Sequence, residues 1–402
     1  MRSSWRIGTL FGIPFYIDQS WLLILVFVTL INTGNVTASG LTHDNPLLGG
    51  GVGLIMSLLL FGSVLLHELG HSLVARSQGI TVNSITLFLF GGLASIDKES
   101  QSPVEALAVA IAGPLISFTL FVLFLGLTQI WPSSTLMGFL FQDIANLNLV
   151  LAMFNLIPGL PLDGGQILKA LVWKVTGDRL IGMRWASASG RIIGWFGVLL
   201  GVFAVILLGD LSGLWISFVG WFILRNATAY DRLTVLQESL LHLSAQDAMN
   251  HDFRVVNAHL SLKEFIETYL LASSVTPSAY YAASEGRYRG MLKLDEIQQI
   301  ERSQWEEKTL FDLVHPLTQV SSVSEKTPLA TVIRELEAKQ ERYLTVLSPA
   351  DAVSGVIDRG DIVKTIANQQ NIPITEGEIK RIKSEGTYPT YLQLPAIAKN
   401  IE

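Results

Sequence analysis

The chain contains no cysteine among its 402 residues, which excludes disulfides, thiolate metal sites and cysteine nucleophiles. Any bound metal must therefore be held by histidine and carboxylate. Charge is also scarce. Only 15% of residues are charged against 50% hydrophobic, and mean hydropathy is +0.43. Ordinary soluble domains carry about 25% charged residues, so this composition points to membrane spans. The first 228 residues hold 10 Lys+Arg and 10 Asp+Glu and are neutral. The remainder, with 18 basic and 24 acidic residues, carries the whole net charge of −6. No basic patch stands out, so nucleic acid is not an expected partner.

Apolar stretches long enough to span a membrane occur near 15–33, 50–76, 104–130, 137–158, 185–208 and 211–227. A small-residue cleavage site does not follow the first, which is read as a retained span and not a signal peptide. Segments 34–49, 131–136 and 209–212 contain no Lys or Arg, whereas basic residues cluster at Arg2 and Arg6, Arg76 and Lys98, Lys169 to Arg184, and Arg225 and Arg232. Positive charge stays on the cytoplasmic side, so six spans are expected with both termini cytoplasmic. After residue 229 the chain reads as soluble and acidic. Residues 244–300 and 310–368 are similar blocks with alternating strand-like and helix-like runs, an internal duplication. The polar tail beyond about 370 reads as a loosely docked extension.

The second span contains "LLHELGHSLVARSQG", residues 65–79. A charged side chain at mid-membrane costs about 2.5–3.5 kcal/mol, so ionisable groups there are functional by default. His67 and His71 are four apart and share one helix face, with Glu68 beside them. This HExxH pattern places two zinc-binding imidazoles next to a general base. His67 lies about 15 Å along the helix axis from Ser77, inside the cytoplasmic half of the bilayer. A catalytic zinc needs a third protein ligand and an open position. Asp97 and Glu99 lie in a charged loop, and Asp143 lies at the outer end of the fourth span. Asp163, in "NLIPGLPLDGGQIL" (155–168), is the better candidate, because prolines and glycines break the helix at membrane depth there. Between these motifs, "VNSITLFLFGGLASID" (82–97) reads as a short hairpin around Gly91-Gly92. Phe90, Gly91 and Gly92 are candidate substrate contacts if an edge strand there accepts an extended peptide. A structural re-entrant loop is the alternative.

With these motifs together, the chain resembles the site-2 proteases, intramembrane zinc metalloproteases of peptidase family M50, in the branch with a C-terminal CBS-domain pair. The resemblance rests on HELGH at 67–71, "AGPLIS" at 112–117, "NLIPGLPLDGG" at 155–165 and the opening "IGTLFGIPFYID". It implies His67, His71 and Asp163 as ligands of one zinc ion per chain and Glu68 as catalytic base. It also implies a catalytic role for Asn155 near the metal-bound water or the substrate carbonyl, and makes Gly113 and Ser117 a packing or substrate-contact element. Asp18 departs from the pattern, since many members of this branch have His there. The two soluble repeats resemble CBS domains, most clearly in "VSGVIDRGDIVKTIA" (353–367), which makes Asp361 the candidate contact to an adenine nucleotide. A ligand-free dimerisation module is the alternative.

The expected fold is therefore a polytopic α-helical membrane domain of about six transmembrane helices with a short β-hairpin, followed by a soluble α/β tandem CBS module. Expected divisions are 1–228 for the membrane domain, 229–243 for a linker, 244–302 and 303–370 for the CBS copies, and 371–402 for the extension. The expected function is zinc-dependent cleavage of a transmembrane protein substrate within or beside a membrane helix. The setting is the lipid bilayer of a bacterial or organellar membrane, with the CBS pair as regulator or homodimer contact. A CBS-regulated transporter or channel is the competing class.

Overall fold

The computed structural model describes residues 4–42, 45–89, 91–96, 100–132, 135–272 and 277–401. It divides into two compact units, Met1–Thr234 and Val235–Glu402.

The first unit opens with two strands, β1 (Ser4–Leu10) and β2 (Ile13–Asp18), a hairpin where the resemblance gave only a sequence motif. Helix α1 (Gln19–Ala38) follows directly. Asp18 accepts the Ser20 N–H at 3.0 Å, so the residue that departs from the family pattern serves as the helix N-cap. Helix α2 (Pro46–Ser77) starts with Asn45 as cap and Pro46 in the first turn, and runs 32 residues, about 48 Å. Strands β3 (Val82–Phe88) and β4 (Gly91–Ile96) then pair antiparallel. They complete a four-stranded sheet in the order β1-β2-β3-β4, with β2 and β3 parallel. Ile13, Val82 and Ile85 of the sheet bury against Leu69 and Ala75 of α2, which brings β4 beside the HExxH segment.

Helices α3 (Pro103–Leu127), α4 (Leu136–Asn155), α5 (Asp163–Thr176), α6 (Arg179–Leu208) and α7 (Gly213–His242) complete the helical order. A capping box between Ser102 and Glu105 starts α3, and left-handed Gly177 and Gly209 stop α5 and α6. Among the described residues, five helices are long and apolar enough to cross a membrane: α1, α2, α3, α4 and α6. The sixth expected span, 211–227, falls in the first part of α7. That helix turns polar from Arg225 onward, so its apolar stretch is shorter than the usual ~20 residues.

In the second unit, β5 (Phe253–Asn257), β6 (Ala279–Ser284) and β7 (Arg287–Leu292) form one three-stranded sheet. β8 (Ser322–Ser324), β9 (Tyr343–Leu347) and β10 (Val353–Asp358) form another. Each sheet has a central strand parallel to its first neighbour and antiparallel to its second, so the repeated sequence is repeated in topology. Helices α8 (Leu329–Lys339), α9 (Arg359–Gln369), α10 (Glu376–Glu385) and α11 (Leu394–Asn400) pack on the second sheet.

Two expectations are corrected here. Residues 229–243, expected as a linker, are helical almost throughout: 229–242 continue α7, and Leu240 is fully buried. The tail is not loosely docked either. Ile382, Leu392, Leu394, Ile397 and Ala398 enter the same apolar cluster as Ile333, Leu344 and Ile362. Those apolar positions are spread over two short helices, which hid the common face from a reading by polarity.

Candidate metal centre

Helix α2 presents both imidazoles on one face, and both are buried. Their rings stand nearly perpendicular, with centroids 4.9 Å apart. What aims them is the neighbouring α3. His71 Nδ1 lies 2.7 Å from the carbonyl oxygen of Val109, which can only accept, so Nδ1 carries the hydrogen. His67 Nδ1 lies 2.9 Å from Ser117 Oγ, itself fully buried. These contacts turn both Nε2 atoms toward a common point. Such contact needs α2 and α3 close together, and Gly70 permits it: a Cβ there would lie 2.8 Å from Ile116 Cγ1 and 3.0 Å from the Ala112 oxygen.

Asp163 completes the group. Beyond α4 the chain makes a compact turn in which Leu160 is fully buried and its N–H bonds to Ala186 O at 3.1 Å. A Cβ at Gly165 would lie 2.8 Å from Gly159 O, so glycine lets the turn fold back on the first turn of α5. Asp163 Oδ2 thereby reaches His67 Nε2 at 3.0 Å and His71 Nε2 at 3.3 Å, and the two Nε2 atoms are 3.3 Å apart. Among the described residues, these three form the group of His and carboxylate donors that could hold an ion.

The donors fit zinc on their own geometry. Tetrahedral ligands about 2.0–2.1 Å from a zinc ion stand about 3.3–3.4 Å from one another. Two imidazole Nε2 atoms and a carboxylate oxygen face each other, a donor set that a cation among them would join. Gly113 of α3 leaves the room. A Cβ there would lie 2.6 Å from His67 Nε2 and 2.7 Å from His71 Cε1, filling the space between the rings. Gly113 and Ser117, read from sequence as packing or substrate contacts, thus have a different place: one makes space at the cluster and the other holds His67. The four-residue step from Gly113 to Ser117, matching that from His67 to His71, is the sequence signal that two helix faces meet here.

The other expected site residues are placed as follows. Glu68 is half-buried next to His67, and β4 presses on it: a Cβ at Gly92 would lie 2.9 Å from Glu68 Cδ and 3.1 Å from Oε1. Gly91 starts β4 with φ +129. Phe90 lies outside the described residues, as do Asp97 and Glu99. Asn155 is the last residue of α4 and half-buried; no hydrogen bond joins it to the cluster among the described residues. Asp361, in the second unit, is buried, and its carboxylate is engaged by Lys383, Asn250 and a backbone N–H.

The chain is similar to known metalloproteases over most of its length. The model of peptidase family M50 matches residues 55–138 and 132–199. A Synechocystis protein named "Putative zinc metalloprotease sll0528" is 38% identical over 377 residues, covering 91% of this chain and 96% of that protein. The structure of a site-2 protease from Methanocaldococcus jannaschii is 29% identical, covers 57% of this chain and 95% of its own, and has a TM-score of 0.40. The CBS domain of a bacterial CNNM/CorC family Mg2+ transporter, 13% identical with a TM-score of 0.28, covers 36% of this chain and 86% of its own.

Proposed function

The chain belongs to peptidase family M50 and is a zinc metalloprotease of the site-2 type, and on that premise we propose that it cleaves membrane-protein substrates within or beside a transmembrane helix. The transporter or channel alternative is thereby set aside. One observation carries the intramembrane reading: Asp163 meets His67 and His71 on α2, an apolar helix in which ionisable groups are costly, ten and six residues before its end at Ser77.

His67, His71 and Asp163 would hold the zinc ion, which would supply a Lewis acid that brings water ionisation toward neutral pH and polarises a carbonyl. The protein's own groups do the rest. Glu68 takes a proton from the attacking water at its carboxylate and returns it to the leaving amine nitrogen, so a C–O bond forms as the C–N bond breaks. Val109 O and Ser117 Oγ keep the imidazoles in one orientation throughout, and Val109 O holds the hydrogen on His71 Nδ1. A substrate helix hides its carbonyls in its own hydrogen bonds and must be unwound. Among the described residues, strand β4 pairs only with β3, so its outer edge can accept an extended segment by strand addition, and Gly92 brings that strand against Glu68.

A sixth crossing by α7 is supported by its packing. Would-be Cβ positions on Gly201, Gly194 and Gly190 meet Ser217, Leu224 and Ala227 in turn, an antiparallel run along the membrane-spanning α6. With six crossings, the distribution of Lys and Arg supports a cytoplasmic position for the β-sheet end and the CBS pair, in a bacterial or organellar membrane. The CBS pair then serves as a cytoplasmic regulatory or dimerisation module responsive to an adenine nucleotide, its duplicated sheets supporting that reading.

The test is Glu68→Gln in the full-length protein, assayed on a model transmembrane substrate. Cleavage should be lost while one zinc per chain is retained. Full turnover in that variant would refute the mechanism. Products trapped with the same variant would identify the substrate.

A further inference from the structure

The carboxylate expected to meet a nucleotide is already engaged by the chain itself. Asp361 opens α9, with 7% of its surface exposed. Its Oδ2 accepts Asn250 Nδ2 at 2.5 Å and the Asp358 N–H at 3.2 Å. Its Oδ1 accepts Lys383 Nζ at 2.6 Å, and the same ammonium lies 3.0 Å from Asp358 Oδ2. Lys383 comes from α10, a helix that buries Ile382 and leaves its other residues at least partly exposed. The lysine stem reaches the two carboxylates by passing over Gly360. A Cβ on Gly360 would lie 2.5 Å from Lys383 Cγ and 3.1 Å from Cε, so any side chain there obstructs the stem.

The charges explain why the lysine stays. Burial and the neighbouring Asp358 both push the Asp361 carboxyl upward, against the pull of Lys383. Burial works against the Lys383 charge, yet its hydrogen bond to Asp361 and the two carboxylates hold it above the usual lysine range. Removing the ammonium leaves two adjacent carboxylates, one buried, without a counter-charge, an expensive arrangement. That same pair would suit a ligand that brings hydroxyl donors, such as a ribose diol. α10 and α11 are also held unequally. Leu394 and Ala398 of α11 are fully buried, whereas α10 has Ile382, partly buried Ile379 and the Lys383 contact.

We propose that Lys383 is a built-in plug of the second CBS copy, and that an adenine nucleotide reaches Asp361 only when α10 lifts and withdraws this ammonium. The proposal rests on the reading that the CBS pair takes an adenine nucleotide, and makes the C-terminal segment its competitor.

The experiment uses full-length protein in detergent with ATP as the probe, comparing wild type, Lys383→Met, Gly360→Ala and the exposed control Lys380→Ala. Amide hydrogen exchange without nucleotide reads the latch alone. Segment 376–386 should exchange about tenfold faster in the Lys383→Met and Gly360→Ala variants and unchanged in the control. ATP should bind those two variants about tenfold more tightly than wild type, since the closed fraction no longer opposes it. Unchanged exchange in both variants would overturn the plug. Faster exchange with equal ATP affinity in all four proteins would overturn its competition with nucleotide. Faster exchange with no ATP bound by any of them would overturn the proposal together with the nucleotide reading beneath it.

Discussion

Each unit buries a small cluster of ionisable side chains, and the two clusters are resolved in opposite ways. In the first unit, His67, His71 and Asp163 turn their donor atoms toward one point, where an ion from outside the chain would supply the positive charge. In the second unit, Asp358 and Asp361 also converge, but Lys383 supplies the positive charge from within. Both arrangements obey the same rule, that buried charge is paired. A convergent donor set lacking an internal counter-charge is open to a ligand, whereas one carrying its own is closed until something moves. Glycine marks both: Gly113 leaves room for an ion and Gly360 leaves room for a lysine stem.

That contrast can be broken at several points. The largest effect is expected for Glu68→Gln, which should lower cleavage by about 10²–10⁴-fold, the usual contribution of a general base, with zinc content by elemental analysis unchanged. Gly113→Ala should do the reverse of Lys383→Met. It fills an open site, so zinc should be lost from the purified protein while thermal unfolding in detergent stays close to wild type. Zinc retained at one per chain in this variant would mean that the space beside Gly113 is not where the ion sits. Ser117→Ala should weaken zinc by about 10–100-fold in competition with a chelator, the range for groups that orient metal-bound histidines. A loss of thermal stability with unchanged zinc affinity would make Ser117 a packing residue only. Leu394→Ala should destabilise the soluble unit by about 2–5 kcal/mol in chemical unfolding of the full chain, the cost of truncating a buried leucine. An effect near zero would return the tail to the status of a loose extension.

Legibility in the sequence followed the range of the interactions. His67, Glu68 and His71 could be read because helical periodicity fixes their relation within five residues. Asp163 could be selected because its prolines and glycines exclude a regular helix. The hydrogen-bond partners were harder. Ser117 is fifty residues from His67, and Val109 contributes a backbone oxygen that no side-chain pattern announces. The role given to Ser117 from sequence was therefore a different one. The N-terminal hairpin escapes a reading by hydropathy because β2 runs directly into α1 and most of it is absorbed into that apolar stretch. The tail was misread because polar residues outnumber the few apolar ones that reach the core.

By itself, the sequence determined five of the apolar membrane-length helices, the paired imidazoles with their adjacent acid, and the duplication in the second half. Each of these is written in local hydropathy, helical spacing or repetition. Only the tertiary structure decided which groups of α3 orient the histidines, how closely Asp163 approaches them, and that Asp361 is already paired. Those outcomes depend on side chains from separate helices arriving within about 3 Å, the hydrogen-bonding range. No local pattern encodes such an arrival; packing of the whole unit does.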